Sequence, residues 1–162
     1  MLEQLEGSDL SALIRDELWG WPLVLTIHAF GTAIVIGFML ILCLRLFGFF
    51  AMIPYGALGR LFPIIWAAIA LQFLSGLALW MAKPTQYSAD TAFLLKVALI
   101  VIGMVLTLYF QGTIKREAPA WETSGAAPAR ATRYIAAAFL VWCCVLVAGR
   151  LTAHLGSLAI GS

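Results

Sequence analysis

The chain has 162 residues, of which 63% are hydrophobic and 11% are charged, and its mean hydropathy is +0.99. A soluble domain is about half apolar and about one quarter charged, so this composition excludes an ordinary soluble domain and indicates an integral membrane protein. The formal net charge of +2 gives no indication of a nucleic-acid partner. The apolar runs are continuous rather than alternating, which predicts an all-α protein whose spans are helices in a lipid bilayer.

Residues 1–18 are predicted to form a short amphipathic segment at the membrane interface. Ser8 can cap a helix there, and Trp19 and Trp21 follow as interfacial anchors. The apolar face of this helix is expected to contain Leu10, Leu13 and Ile14. A tail without regular structure is the alternative for this segment.

Four apolar runs follow and predict a single four-helix bundle over residues 19–162. Each run is long enough to cross a hydrocarbon core of about 30 Å, which takes about 20 helical residues. Asp90 is placed to cap the third helix, and the charged stretch 113–133, rich in Ala and Pro, is expected to be a loop. The predicted spans cover approximately residues 19–48, 58–82, 91–112 and 134–158.

Basic residues predict the orientation of the bundle. They flank the first connection and lie in or beside the third, at Arg45, Arg60, Lys115, Arg116, Arg130 and Arg133. The positive-inside rule places both connections in the cytoplasm, so both termini are expected in the periplasm of a bacterial inner membrane. On this basis Arg45 and Arg60 are interpreted as ordinary anchors that fix the topology.

Four polar residues fall in one layer of the predicted bundle, near its periplasmic face: His28, Lys96, Arg150 and His154. Every acidic residue lies outside the spans or at their edges, and an uncompensated cation inside a membrane costs at least about 2.5 kcal/mol. Lys96 and Arg150 therefore either hold an anionic cofactor or substrate, or reach lipid phosphates and acids at the rim of the bundle. The candidate rim acids are Asp16, Glu17 and Asp90.

The two histidines suggest a haem, because neutral imidazole ligates iron and a helical bundle can hold a b-type haem between axial histidines from two helices. We therefore predict His28 and His154 as iron ligands. Gly31 and Thr32 lie on the same helix face as His28 and are expected to leave room beside its ring for the macrocycle. The propionates would pair with the two cations of this layer, Arg150 and Lys96. The alternatives are a His28 side chain that only hydrogen-bonds to a neighbouring helix and a His154 side chain at the interface.

Other recognisable chemistry is sparse. The sequence contains no motif for covalent haem attachment, for phosphate binding or for zinc-dependent hydrolysis, which disfavours a hydrolase. The methionines and cysteines are dispersed through the spans, which is typical of core packing rather than of copper handling. Gln72 and Ser75, midway through the second span, are interpreted as hydrogen-bonding partners between helices, with a small polar path as the alternative.

Short motifs also resemble a known group of proteins. They are His-Ala-Phe-Gly at 28–31, Leu-Arg-Leu-Phe-Gly at 44–48, Ala-Phe-Leu-Leu-Lys at 92–96 and Ala-Gly-Arg-Leu-Thr-Ala at 148–153. From Trp19 onward the chain resembles an uncharacterised family of small bacterial four-helix membrane proteins, and its layout is also similar to the membrane domain of copper resistance protein D. The family commonly carries an aromatic hydroxyl at the position of His154, so a pair of histidines is not implied as a family trait. The resemblance implies a four-helix bundle in the inner membrane and directs attention to His28, Arg45, Lys96 and Arg150.

Three functions are compatible with these residues. The first is a small membrane b-type cytochrome, an electron-transfer component that binds one haem near the periplasmic face and passes electrons between the quinone pool and a partner. The second is a cofactor-free structural or assembly subunit of a larger membrane complex or homo-oligomer, whose basic layer binds lipid or the acids of a partner. The third is a small transporter for a metal or an anion.

Overall fold

The computed structural model describes the backbone of residues 9–82 and 84–160 and the side chains of residues 11–14, 17–82, 84–88 and 90–151. The described backbone is helical apart from short connections, and it contains no strand. A 3₁₀ turn, Gly59–Leu61, joins the third helix to the fourth. The α-helices are α1 Asp9–Asp16, α2 Gly20–Leu46, α3 Tyr55–Leu58, α4 Phe62–Ala82, α5 Pro84–Ala89, α6 Thr91–Ser124 and α7 Ala129–Ile160.

The bundle consists of α2, α4, α6 and α7. Four helices of the described chain, counting α3 and α4 as one, are long and apolar enough to cross a membrane. The predicted all-α membrane bundle is therefore confirmed. The neighbouring pairs are α4 with α2, α2 with α7, and α7 with α6. We call the half that contains the start of α2 and of α6 the His28 half, and the opposite half the Arg45 half.

The third and fourth membrane-spanning helices, α6 and α7, are longer than the sequence analysis predicted. The stretch 113–133 was expected to be a loop, but α6 continues through it to Ser124 and α7 already begins at Ala129. Polar residues end an apolar span without ending a helix, because Ala, Lys, Arg and Glu are all good helix formers. At 34 residues α6 is about 51 Å long, so it projects beyond a hydrocarbon core of about 30 Å. Gly125 then ends the helix in the left-handed conformation (φ +74°).

The first two spans differ less from their predicted bounds. The first was expected over 19–48, and α2 covers Gly20–Leu46. The second was expected from 58, but helical structure begins at Tyr55 and passes through the 3₁₀ turn before α4. Asp90 caps α6 as predicted, since its Oδ1 accepts a hydrogen bond from the backbone N–H of Ala92 at 2.9 Å.

The short N-terminal helix α1 packs against α2 and α4. Of the residues on its predicted apolar face, Ile14 is only 5% exposed, whereas Leu13 is 58% exposed. Ser11 shares the inward face, where its hydroxyl donates to the carbonyl of Ala82 at 3.3 Å. The side chain of Leu10 and the predicted cap Ser8 lie outside the described residues.

Tight apolar packing is concentrated in the Arg45 half and the middle of the bundle. Phe62 and Phe110 are fully buried there, with ring centroids 6.3 Å apart, and Trp142 packs closely over Gly103. In the His28 half no residue of α6 from 91 to 102 is buried, although Leu99 and Ile100 are partly buried against the core.

Tyr87 lies in the connection between the second and third spans and is expected to make the stability of the protein depend on pH in the alkaline range. Tyr87 lies in α5, where burial and then the nearby Asp90 carboxylate raise the pKa of its phenol above the ordinary value of about 10. The unfolded chain therefore loses this proton at a lower pH than the folded protein does. The resulting contribution to stability is complete below about pH 10 and is lost as the pH rises through the raised pKa.

The test is a Tyr87→Phe variant. Phenylalanine keeps the ring contact with Phe93, whose centroid lies 5.8 Å away, but has no proton to lose. We expect the variant to lose less of its unfolding free energy than the original protein when the pH is raised above about 10. Parallel slopes of unfolding free energy against pH for the two proteins would contradict this prediction.

Candidate functional site

The side chain of His28, on α2, shares a hydrogen bond with a residue of the neighbouring helix α4. Its Nδ1 lies 2.9 Å from the hydroxyl oxygen of Ser75. The Ser75 hydroxyl oxygen also lies 2.7 Å from the carbonyl of Leu71 and 3.3 Å from the carbonyl of Gln72; when its proton goes to either carbonyl, Nδ1–H is the donor toward Ser75. This assignment leaves the lone pair on Nε2, which is the state in which a neutral imidazole binds a metal.

The room that was expected beside Gly31 is filled by α4. A Cβ at Gly31 would lie 3.1 Å from Oε1 of Gln72 and 3.3 Å from the carbonyl of Ala68. The Thr32 hydroxyl is also engaged, since it lies 2.8 Å from the same Gln72 oxygen and 3.0 Å from the carbonyl of His28. Gly31 and Thr32 therefore bring α2 and α4 together and do not border an open space for a macrocycle. The interpretation of Gln72 and Ser75 as hydrogen-bonding partners between helices is confirmed.

Lys96 reaches the layer of His28 from the other side of the bundle. Its ammonium nitrogen lies over Gly149 of α7, where a Cβ would come within 3.3 Å of it. The His28 ring lies over Gly76 of α4, where a Cβ would come within 3.2 Å of Cε1. Each of these two predicted site residues therefore lies against a glycine of a neighbouring helix.

The other two predicted site residues are less well defined. Arg150 is exposed on α7, and the side chain of His154 lies outside the described residues although its backbone belongs to α7. Among the described side chains the one ion pair joins Arg130 to Glu117 at 2.8 Å, so neither Lys96 nor Arg150 is paired there with a rim acid. The same described residues contain no cluster of three or more potential metal ligands of the His, Cys, Asp and Glu types.

Arg45 was interpreted as an ordinary topology anchor, and that interpretation is wrong. Its side chain is only 6% exposed, and its Nε donates to the carbonyl of Ile53 at 2.6 Å. The guanidinium also stacks on the ring of Tyr55, with Cζ 3.9 Å from the centroid. Arg60, by contrast, is exposed, as expected for an anchor.

A signal for the burial of Arg45 was present in the sequence. The connection that follows it, 47–54, is apolar and contains no acidic or basic side chain. The backbone carbonyls of such a connection need hydrogen-bond donors, and its own side chains have none to offer. An arginine at the end of the preceding helix can supply these donors.

Comparison with protein-family models, with curated protein sequences and with solved structures finds no match for this chain. The function is therefore inferred from the chemistry of the site residues. Those residues are His28 with its Ser75 partner, and Lys96 in the same layer.

Proposed function

We propose that this protein is a small b-type cytochrome of the bacterial inner membrane, which binds one haem in the His28 half and passes electrons between the quinone pool and a partner protein. The predicted orientation puts the His28 half near the periplasmic face. Bound haem would supply one-electron chemistry, and the chain would supply the ligands, the orientation and the charge environment.

The hydrogen bond between His28 and Ser75 carries the proposal. Histidines that ligate a metal almost always donate their other ring N–H to a neighbouring acceptor, which fixes the tautomer and the ring orientation. We propose that the Nδ1–H of His28 donates in this way to Ser75, whose hydroxyl oxygen lies 2.9 Å from Nδ1. Nε2 would then be the nitrogen that ligates iron. His154 is proposed as the second ligand.

The exposure of the first part of α6 in the His28 half leaves a surface on which a ligand could lie. The α6 residues from 91 to 102 contribute no buried side chain, whereas Gly103 and several residues after it are buried. A flat macrocycle cannot lie on the Gly31 side of His28, because α4 fills it. We therefore place the haem on the α6 side, next to Lys96.

The charges of the same layer suit the propionates of a haem. Lys96 is half-buried, and no described carboxylate pairs with it. A propionate at this ammonium would form a charge-assisted hydrogen bond and offset the cost of a cation inside a membrane. Arg150 is proposed to bind the second propionate.

The specific alternative is a cofactor-free subunit of a larger membrane complex. The polar groups between α2 and α4 already satisfy one another, through the pairs Thr32 with Gln72 and His28 with Ser75. A network of this kind is sufficient to hold two helices together without any cofactor. The presence of bound haem in the purified protein would favour the cytochrome, and its absence would favour the cofactor-free subunit.

The first experiment is the absorption spectrum of the detergent-purified protein, recorded oxidised and then reduced with dithionite. We expect a Soret band together with sharp α and β bands on reduction, as a low-spin b-type haem gives. Protein made with haem supplied during expression that still shows no visible band would overturn the proposed function and favour the cofactor-free subunit.

A further inference from the structure

A second candidate site lies at the opposite end of the bundle, around a cavity of about 390 Å³ in the Arg45 half. Its walls come from the end of α2, the connection 47–54, the end of α6 and the α6–α7 turn, and they include Arg45, Tyr55 and Glu122. This volume falls in the range of about 300–1,000 Å³ that is usual for small-molecule sites.

Arg45 presents unused hydrogen-bond donors to this cavity. Its described hydrogen bonds are made by Nε, to Ile53, and by Nη2, to the carbonyl of Ala51 at 3.5 Å. No described hydrogen bond comes from Nη1, yet every fully buried side-chain nitrogen and oxygen among the described residues has a partner. Nη1 is therefore not fully buried, and Arg45 is one of the residues that line the cavity.

A carboxylate lines the same cavity without pairing with Arg45. Both oxygens of Glu122 accept from the backbone N–H of Tyr55, at 3.0 and 3.2 Å. Arg45 stacks on the ring of that same tyrosine. Arg45 and Glu122 thus both contact Tyr55, but among the described residues they form no ion pair with each other. A ligand that fits between them needs an anionic group at one end and a cationic hydrogen-bond donor at the other.

The connection 47–54, from which Phe47, Gly48 and Ala51 line the cavity, is apolar. The connection 47–54 is strongly exposed at Phe47, Phe49, Phe50 and Met52, the last of which is 91% exposed. These side chains follow directly on a helix that is long and apolar enough to cross the membrane. They are suited to contact acyl chains at the interface, so the ligand is expected to be amphiphilic and to reach the cavity from the bilayer.

We propose that this cavity binds the headgroup of a zwitterionic phospholipid with a primary ammonium group, such as phosphatidylethanolamine. The phosphate accepts hydrogen bonds from Nη1 of Arg45, and the ammonium donates to the carboxylate of Glu122. The acyl chains lie against the exposed phenylalanines of the connection. This site is independent of the haem proposed in the His28 half.

The test is a titration of the delipidated, detergent-purified protein with three lipids of matched acyl chains, followed by native mass spectrometry. The lipids are phosphatidylethanolamine, phosphatidylcholine, whose quaternary ammonium has no N–H to donate, and phosphatidylglycerol, which has no amine. We expect phosphatidylethanolamine to bind at least about tenfold more tightly than either of the others. Equal affinities for the three lipids would overturn the proposal.

Two variants assign the roles within the cavity. Arg45→Gln is expected to weaken binding of all three lipids by at least about tenfold, because each headgroup contains the phosphate. Glu122→Gln keeps an oxygen that can accept from Tyr55, and it is expected to abolish the preference for phosphatidylethanolamine over phosphatidylcholine. If Arg45→Gln fails to fold, a Glu122→Gln variant that retains the preference would overturn the proposal by itself.

Matched controls are available at the same end of the bundle. Arg60→Gln removes an exposed cation at the same end of the bundle, and Glu117→Gln removes a carboxylate of α6 that does not line the cavity. Both are expected to keep the affinities and the lipid preference of the original protein. The last ligand tested is soluble phosphoethanolamine, which has the same headgroup but no acyl chains. If it binds as tightly as phosphatidylethanolamine, the ligand need not be a membrane lipid and the proposal is overturned.

Discussion

Replacing His28 by alanine is expected to abolish the low-spin haem spectrum or convert it to a high-spin one. The change removes the proposed axial ligand and leaves the rest of α2 intact. Loss of an outer-shell partner alone costs about 10–100-fold in metal affinity, so loss of the ligand itself should lower haem occupancy at least that much. The measurement is the ratio of Soret to protein absorbance in the purified variant, with the reduced spectrum recorded beside it.

Two further variants show whether the effect is specific to ligation. Ser75→Ala removes the acceptor of the Nδ1–H while keeping the imidazole, so we expect haem to be retained but bound about 10–100-fold more weakly. Thr26→Ala changes an exposed residue of the same helix whose hydroxyl bonds only locally, to the carbonyl of Pro22, and should leave the spectrum unchanged. A normal spectrum in His28→Ala would exclude His28 as a ligand.

Gly31→Leu is expected to give the largest loss of stability among single changes at the α2–α4 contact. A Cβ alone would already crowd the backbone carbonyl of Ala68, which lies in a helix and cannot move away easily. Forcing a larger side chain into a close-packed contact costs about 1–3 kcal/mol. Separation of the helices also weakens the hydrogen bond between Thr32 and Gln72, and bonds of that kind are worth about 0.6 kcal/mol on average.

The matched control is Gly37→Leu on the same helix. A Cβ at Gly37 would have nothing within 4 Å, so the same substitution there changes helix propensity without crowding a neighbour. It should be neutral or stabilising by less than about 1 kcal/mol. Unfolding of each variant by sodium dodecyl sulfate in mixed micelles gives the comparison. Similar unfolding free energies for the two variants would show that close packing at Gly31 contributes nothing.

The two sites bear differently on function. If the His28 half binds haem, the redox potential of the haem will depend on its burial and on the hydrogen bond that the His28 ligand makes with Ser75. The Arg45 half would meanwhile anchor the bundle to a specific lipid. Because the two sites lie at opposite ends, variants at one should leave the measured property of the other unchanged, and mutations more than about 10 Å apart usually act additively.

The amino-acid sequence by itself determined the protein class, the four spans and the cap at Asp90. These features depend on contiguous residues, because the length of an apolar run decides whether a helix crosses a bilayer and a carboxylate one residue before a helix caps it. The prediction that His28 and Lys96 share one layer also came from counting residues along helices of known rise. The end of α6 did not follow in this way, since loss of apolar character and loss of helical structure are separate events along the chain.

Only the tertiary structure decided which groups meet across helices. Nothing in the spacing of residues shows that Ser75 would orient His28, or that Gly31 would face the backbone of α4 instead of an open pocket. The order of helices around a bundle and the rotation of each about its own axis set those contacts, and both arise from the packing of all four helices together. The burial of Arg45 has the same origin, because the connection 47–54 folds back and brings the carbonyl of Ile53 to its guanidinium.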